Sequence, residues 1–210
     1  MTQTINLGPE VYVTDPGYSV PTWCQIKLTN VLPGEWIVSM IYDEKGGSNR
    51  NAELYLVHKD YQGKNLLYDW DWFGDFCVDS GQAGVFDAAS YRNDAYAAGI
   101  TTPELDFVYE YFQEGDAWYE KMCKFTLAND GWGTYAAGAV SSSGYGDGEY
   151  PLYGAEVDGK VVALQLVFID QSADDDEDLE EDTCNECGAE IESDGSCDYC
   201  EHFKNSKLED

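Results

Sequence analysis

The sequence predicts a mainly β protein: an antiparallel sandwich-like or curled sheet with a short helical insertion, followed by a small C-terminal zinc ribbon. Three observations carry this prediction. Short apolar stretches of strand length recur through residues 10–58 and again at 161–170, separated by Pro-Gly and Asp-Gly turn signals. Helical periodicity is confined to the middle of the chain, behind Thr102-Pro103-Glu104. Four cysteines stand near the end as two Cys-x2-Cys pairs.

Taken in order, Glu10–Val13 reads as a short strand stopped by Asp15-Pro16-Gly17. Thr22–Asn30 alternates Trp23, Gln25, Lys27 and Thr29 against Cys24, Ile26 and Leu28, the pattern of a half-buried strand. Pro33-Gly34 turns the chain into Glu35–Tyr42, and the polar KGGSNRN connection at 45–51 leads to Ala52–His58. An antiparallel meander is the simplest topology for this part. Residues 59–76 read as a loop whose YDWDWFGDF aromatics either cover one end of the sheet or form a contact surface. Beyond Thr102, an N-cap followed by an N1 proline, Leu105, Val108 and Phe112 share one helical face; Asp116 opens a second helix carrying Trp118, Met122 and Phe125, with Cys123 in the core. Asn129-Asp130-Gly131 ends the insertion, and Thr134–Val140 is a small-residue strand. Asp158-Gly159 is a tight turn before VVALQLVFID, 161–170, whose near-continuous apolar character predicts a central strand.

The expected organisation is a β-rich body at 1–170, an acidic linker at 171–182, a zinc ribbon at 183–203 and a tail at 204–210. The chain of 210 residues has a formal net charge of −30. From Ala173 onward there are 16 acidic residues against 2 lysines, which leaves 25 acidic and 9 basic residues in the body, so the body is acidic in its own right. That balance argues against direct binding to a phosphate backbone and favours a protein partner with a basic surface, or bound cations; a small-molecule ligand is compatible with it. The N-terminus MTQTINLGPE lacks the basic flank and apolar core of a signal peptide, and no apolar run approaches a membrane span. The expected setting is therefore cytoplasmic, in a reducing compartment.

Cys184, Cys187, Cys197 and Cys200 supply the clearest chemistry. Their nine-residue gap suits a tiny hairpin turned by Asp194-Gly195, and four thiolates at this spacing close a tetrahedron around one structural zinc. The stretch Cys184–Cys200, with Gly188 and Ile191, resembles the short zinc ribbons at the ends of many bacterial proteins. Such a site has no open coordination position and points to structure and docking.

Two glycine-containing stretches mark candidate sites in the body: CVDSGQAGVFD at 77–87 and VSSSGYGDGEYPLY at 140–153. Gly144, Gly146 and Gly148 permit a tight loop between two strands. Asp75, Asp79, Asp87, Asp147 and Glu149 stand in or beside these stretches. If the loops converge, they offer a second divalent cation site or a carboxylate pair for hydrolysis; otherwise Asp79 and Asp147 hydrogen-bond their own loop backbones. A nucleophile at Ser80 or Cys77 would need His58, the body's single histidine, close by. No P-loop and no dinucleotide fingerprint is present.

The segments VDSGQAGVFD, SSSGYGDGEYPLY and DGKVVALQLVFI, with the earlier YVTDPGY and TWC, resemble a bacterial and phage family known as domain of unknown function 4241. The resemblance spans nearly the whole body and implies a β-rich single domain in a bacterial cell, with no established activity. It marks Asp79, Ser80, Gly81, Gly144, Gly146, Asp147, Gly148 and Tyr150 as candidate functional positions, with Tyr145 in the same loop.

Three functions are consistent with these features. The first is a non-enzymatic binding or regulatory protein, such as a phage-type inhibitor of a basic host protein or a nucleic-acid mimic, with the ribbon as a second tethered contact. The second is a carboxylate- or metal-dependent hydrolase centred on Asp79 and Asp147. The third is a structural or assembly protein using the aromatics of 68–76 as its interface. Native mass spectrometry with elemental analysis should find one zinc in the full chain and none in a 1–172 fragment. A full chain without zinc would remove the ribbon.

Overall fold

The computed structural model describes residues 2–43, 50–64, 70–105, 113–128 and 130–171. The zinc ribbon, the linker beyond Gln171, most of the connection before strand 51–58, Tyr68, Asn129, and the helical face carrying Val108 and Phe112 lie outside them. Among the described residues, no helix is long and apolar enough to cross a membrane. The body, Met1–Asp170, forms one unit, and Gln171–Asp210 is divided from it.

The described strands form two antiparallel sheets. The larger contains β1 (Thr2–Leu7), β4 (Gly34–Tyr42), β5 (Asn51–His58), β6 (Trp70–Val78), β10 (Gly148–Val157) and β11 (Lys160–Val167), in the order β1-β4-β5-β11-β10-β6. The smaller contains β2 (Val11–Thr14), β3 (Ile26–Leu28), β7 (Gln82–Asp87), β8 (Trp132–Tyr135) and β9 (Gly138–Ser142), in the order β3-β2-β7-β9-β8. One shared core joins them: Ile5, Trp36, Val38, Leu54, Leu56, Phe76, Leu152, Leu164 and Leu166 from the larger sheet meet Val11, Val13, Ala83, Val85 and Ala139 from the smaller. Each such large side chain contributes about 1.5–3 kcal/mol by leaving water, and this face-to-face burial makes the body a sandwich.

The smaller sheet is buried on both faces. Alternate residues of β7 and β9, Phe86 and Val140, turn away from the shared core and pack with Tyr91, Trp118, Met122 and Phe125. Tyr91 precedes α1 (Asp94–Ala97), and the other three partners lie on α2 (Asp116–Thr126). Asn93 caps α1 by accepting the Ala95 amide, and α2 starts after Gly115 as its Trp118, Met122 and Phe125 spacing predicts. Cys123 is buried, also as expected. β7 approaches β9 so closely that a β-carbon on Gly84 would lie 2.1 Å from the Ala139 carbonyl oxygen. β11 lies inside the larger sheet, between β5 and β10, in keeping with its apolar run.

Four expectations are corrected. The first sixty residues are not a meander: β2 and β3 pair in the smaller sheet, whereas β4 pairs with β1 and β5 in the larger. The chain changes sheets near Val31, whose neighbour Leu32 donates to the Val161 carbonyl and so pins the crossing to β11. The strand expected over 22–30 shrinks to Ile26–Leu28, because Thr22 to Gln25 closes a turn in which the Thr22 amide donates to the Gln25 side chain and the Gln25 amide returns to the Thr22 carbonyl. The supposed loop around Trp70–Phe76 is β6, paired along its length with β10 and bulged opposite Leu152–Tyr153. Its Asp71, Trp72 and Asp75 face solvent, which disguised the alternation, while Phe76 enters the core. Finally, 134–140 is not one strand but parts of two, β8 and β9, folded into a hairpin across Ala136-Ala137.

Candidate functional site

Both glycine stretches are places where the chain passes from one sheet to the other. β6 of the larger sheet runs through Asp79-Ser80-Gly81 into β7 of the smaller, and β9 of the smaller runs through 143–147 into β10 of the larger. Since β6 pairs with β10 and β7 with β9, the two crossings are forced to the same end of the sandwich. They meet there. The Gly81 amide donates to Asp147 Oδ1 at 3.0 Å, and the Ser143 amide donates to the Gly81 carbonyl at 3.0 Å.

A residue read from sequence only as part of a turn organises this end. Asp15 follows β2 directly and is fully buried. Its Oδ2 accepts the Asp79 and Ser80 amides at 2.9 and 2.7 Å, while its Oδ1 accepts the Gly17 amide at 2.6 Å and the Ser80 hydroxyl at 2.7 Å. Four donors converge on one carboxylate, which balances the cost of burying it. Tyr91 closes the turn from behind by donating to the backbone oxygens of Asp15 and Tyr18, and Arg92 donates to those of Pro16 and Gly17. The signal for Asp15 is its place in Asp-Pro-Gly immediately after a strand; its partners Asp79 and Ser80, more than sixty positions away, leave no local trace.

The second loop is held by its own residues. The Gly146 amide and the Ser143 carbonyl close a turn, the Ser143 hydroxyl donates to the Gly146 carbonyl, and the Tyr150 hydroxyl reaches both the Ser143 and Gly146 carbonyls from β10. The Tyr150 ring packs on Phe76 and Phe168, and burial raises its phenol above the ordinary range. Gly144 and Gly146 have φ of 60° and 109°, the left-handed region that made glycine the residue to expect there, whereas Gly148 belongs to β10. Tyr145 is exposed, with the Arg50 guanidinium 4.7 Å over its ring.

The structure separates the other candidates. Asp87 lies at the opposite end of β7, where its carboxylate accepts the Gly8 and Ala89 amides. Asp75 is on the outer side of β6 and accepts the Trp72 indole N–H. Glu149 pairs with Cys77 in the β10–β6 ladder. His58 caps the 3₁₀ turn Lys59–Tyr61, where its Nδ1 accepts the Asp60 amide. The Ser80 hydroxyl is directed to Asp15 and not to a histidine. Among the described residues, no three His, Cys, Asp or Glu side chains are grouped to hold a metal ion.

Beside the joined loops lies a cleft of about 450 Å³ lined by Tyr18, Trp23, Cys24, Cys77, Asp79 and Gly148. Burial, then the neighbouring Asp79 and Cys24, push the Tyr18 phenol well above its usual range. Burial, with Cys24 beside it, pushes the Cys77 thiol up to about 11. Trp23 stands at this cleft with 89% of its surface exposed. Sequence alternation assigned it to a strand's outer face; the turn from Thr22 to Gln25 instead lifts it free.

Replacing Asp15 by Asn puts an NH2 group opposite two of the four donors whichever way the amide is turned. Asp15→Asn is expected to lower stability by about 3 kcal/mol, a fall of roughly 10 °C in thermal midpoint. Asp147→Asn retains an acceptor for Gly81 and should cost no more than about 1 kcal/mol. Thermal scans of the full chain check both values; equal midpoints for the two variants would contradict this reading of Asp15.

A family model described as "Protein of unknown function (DUF4241)" matches residues 10–166, a span that runs from β2 to β11 and includes both crossings. No curated protein and no solved structure matches the chain. On the extent of that match, the chain belongs to the DUF4241 family.

Proposed function

We propose that the protein is a non-enzymatic binding module whose recognition surface is the cleft beside the joined loops. The observation that carries this reading is Trp23, a large aromatic almost wholly exposed on a hydrogen-bonded turn at the cleft's edge. Rigidly presented aromatic rings of this kind are the usual centres of binding energy at protein interfaces. The hydrolase alternative draws less support. Asp147 Oδ1, on one of the two carboxylates it would use, is engaged in joining loop to loop, and the Ser80 hydroxyl that a nucleophile would need is bonded to Asp15.

The partner is a protein with a basic surface. A chain with a formal net charge of −30 attracts such a partner at long range and repels polyanions. The C-terminal unit adds a second contact: Cys184, Cys187, Cys197 and Cys200 hold one structural zinc, and the acidic stretch before them tethers this ribbon to the body. The setting is the cytoplasm of a bacterial cell, where an inhibitor of a host protein would meet its target.

Affinity capture from a bacterial lysate, comparing wild type with Trp23→Ala, tests the reading. Truncating a central aromatic anchor costs about 2 kcal/mol or more, so the variant should hold its partner about thirtyfold more weakly, with its thermal midpoint unchanged. Capture should also weaken steeply with salt. An identical retained set for wild type and Trp23→Ala would exclude this cleft as the recognition surface.

A further inference from the structure

Three thiols in the described body are free: Cys24, Cys77 and Cys123. Cys123 is buried in α2 against Gln82, whose side-chain amide donates to its sulfur. Cys24 and Cys77 differ from it. They come from segments 53 positions apart, the turn that carries Trp23 and the end of β6, and both line the same cleft. The Cys77 amide donates to the Cys24 carbonyl at 3.2 Å. A direct backbone bond between the same two residues sets the separation at which disulfides form, with α-carbons about 4–7 Å apart. The side chains are neighbours as well, since the Cys24 thiol is among the groups that shift Cys77.

We propose that Cys24 and Cys77 form a reversible intramolecular disulfide, a redox site built into the cleft. Cys77 is half-buried and faces the opening, so an incoming oxidant reaches it before the buried Cys24. A low-molecular-weight disulfide of the glutathione type is the oxidant. The Cys77 thiolate attacks one of its sulfurs, forming a mixed disulfide and expelling one thiolate. The Cys24 thiolate then attacks the Cys77 sulfur, forming the protein disulfide and expelling the second. The protein dithiol loses two electrons and two protons; the small disulfide gains them as two thiols. The bridge ties the Trp23 turn to β6 within the cleft that Tyr18 also lines. In a reducing cytoplasm the dithiol form prevails, and the bridge forms under oxidative conditions, as expected of a redox-responsive pair.

The test uses the full chain with its zinc, treated with oxidised glutathione, alkylated, and digested with trypsin without reduction. Cleavage after Lys27, Lys64 and Arg92 leaves Cys24 in peptide 1–27 and Cys77 in peptide 65–92. The expected product is a single species joining these two peptides, two hydrogens lighter than their sum and separated by dithiothreitol. Since Cys77 must ionise to attack and its thiol is pushed up to about 11, formation should speed about tenfold per pH unit between pH 7 and 9. In Cys24→Ser, peptide 65–92 should instead keep a glutathione adduct. Recovery of both cysteines alkylated from treated wild type, a persistent adduct on wild-type Cys77, or linkage of either to another cysteine would overturn the proposal.

Discussion

The Asp15 carboxylate is the interaction on which the upper end of this sandwich depends. A buried anion is stable only where donors surround it, and here every donor comes from the two short segments that must come together: Gly17 from its own turn, and Asp79 and Ser80 from the β6–β7 crossing. The crossing so fixed presents the Gly81 amide to Asp147 and the Gly81 carbonyl to Ser143. One carboxylate thereby sets the first loop, and two hydrogen bonds tie the first loop to the second. The cleft beside them inherits its shape from this chain of bonds, because Asp79 and Tyr18, on its wall, flank the groups that Asp15 holds.

Much of the strand pattern was legible because burial on a sheet face leaves a period of two. β4, β5 and β11 stand close to their expected limits, and α2 begins at the expected Asp116. The errors have two causes. β6 reads as a loop in sequence since its solvent-facing Asp71, Trp72 and Asp75 mix a large apolar ring with carboxylates, and an edge strand tolerates both. The meander fails at one step: β2 pairs with β3 and β4 with β5, but between β3 and β4 the chain crosses to the other sheet, a change that strand periodicity does not mark.

At the site, sequence marked the loop residues but not their master. Asp79, Ser80, Gly81, Gly144, Gly146 and Asp147 stood out through glycine and small polar residues, the composition that tight crossings require. Their convergence is a property of sheet topology, which local composition does not encode. Asp15, Tyr91 and Arg92 act across long separations, and each looks ordinary among its neighbours. The family match over residues 10–166 covers these positions together.

The most direct measurement of the central claim is amide hydrogen exchange resolved by NMR in the native full chain. If Asp15 locks the crossing, the Gly17, Asp79 and Ser80 amides should exchange as slowly as those paired inside β7 and β9, even though they lie in turns. Exchange of these three at the rate of an unprotected surface loop would contradict the claim that this carboxylate holds the two crossings as one unit.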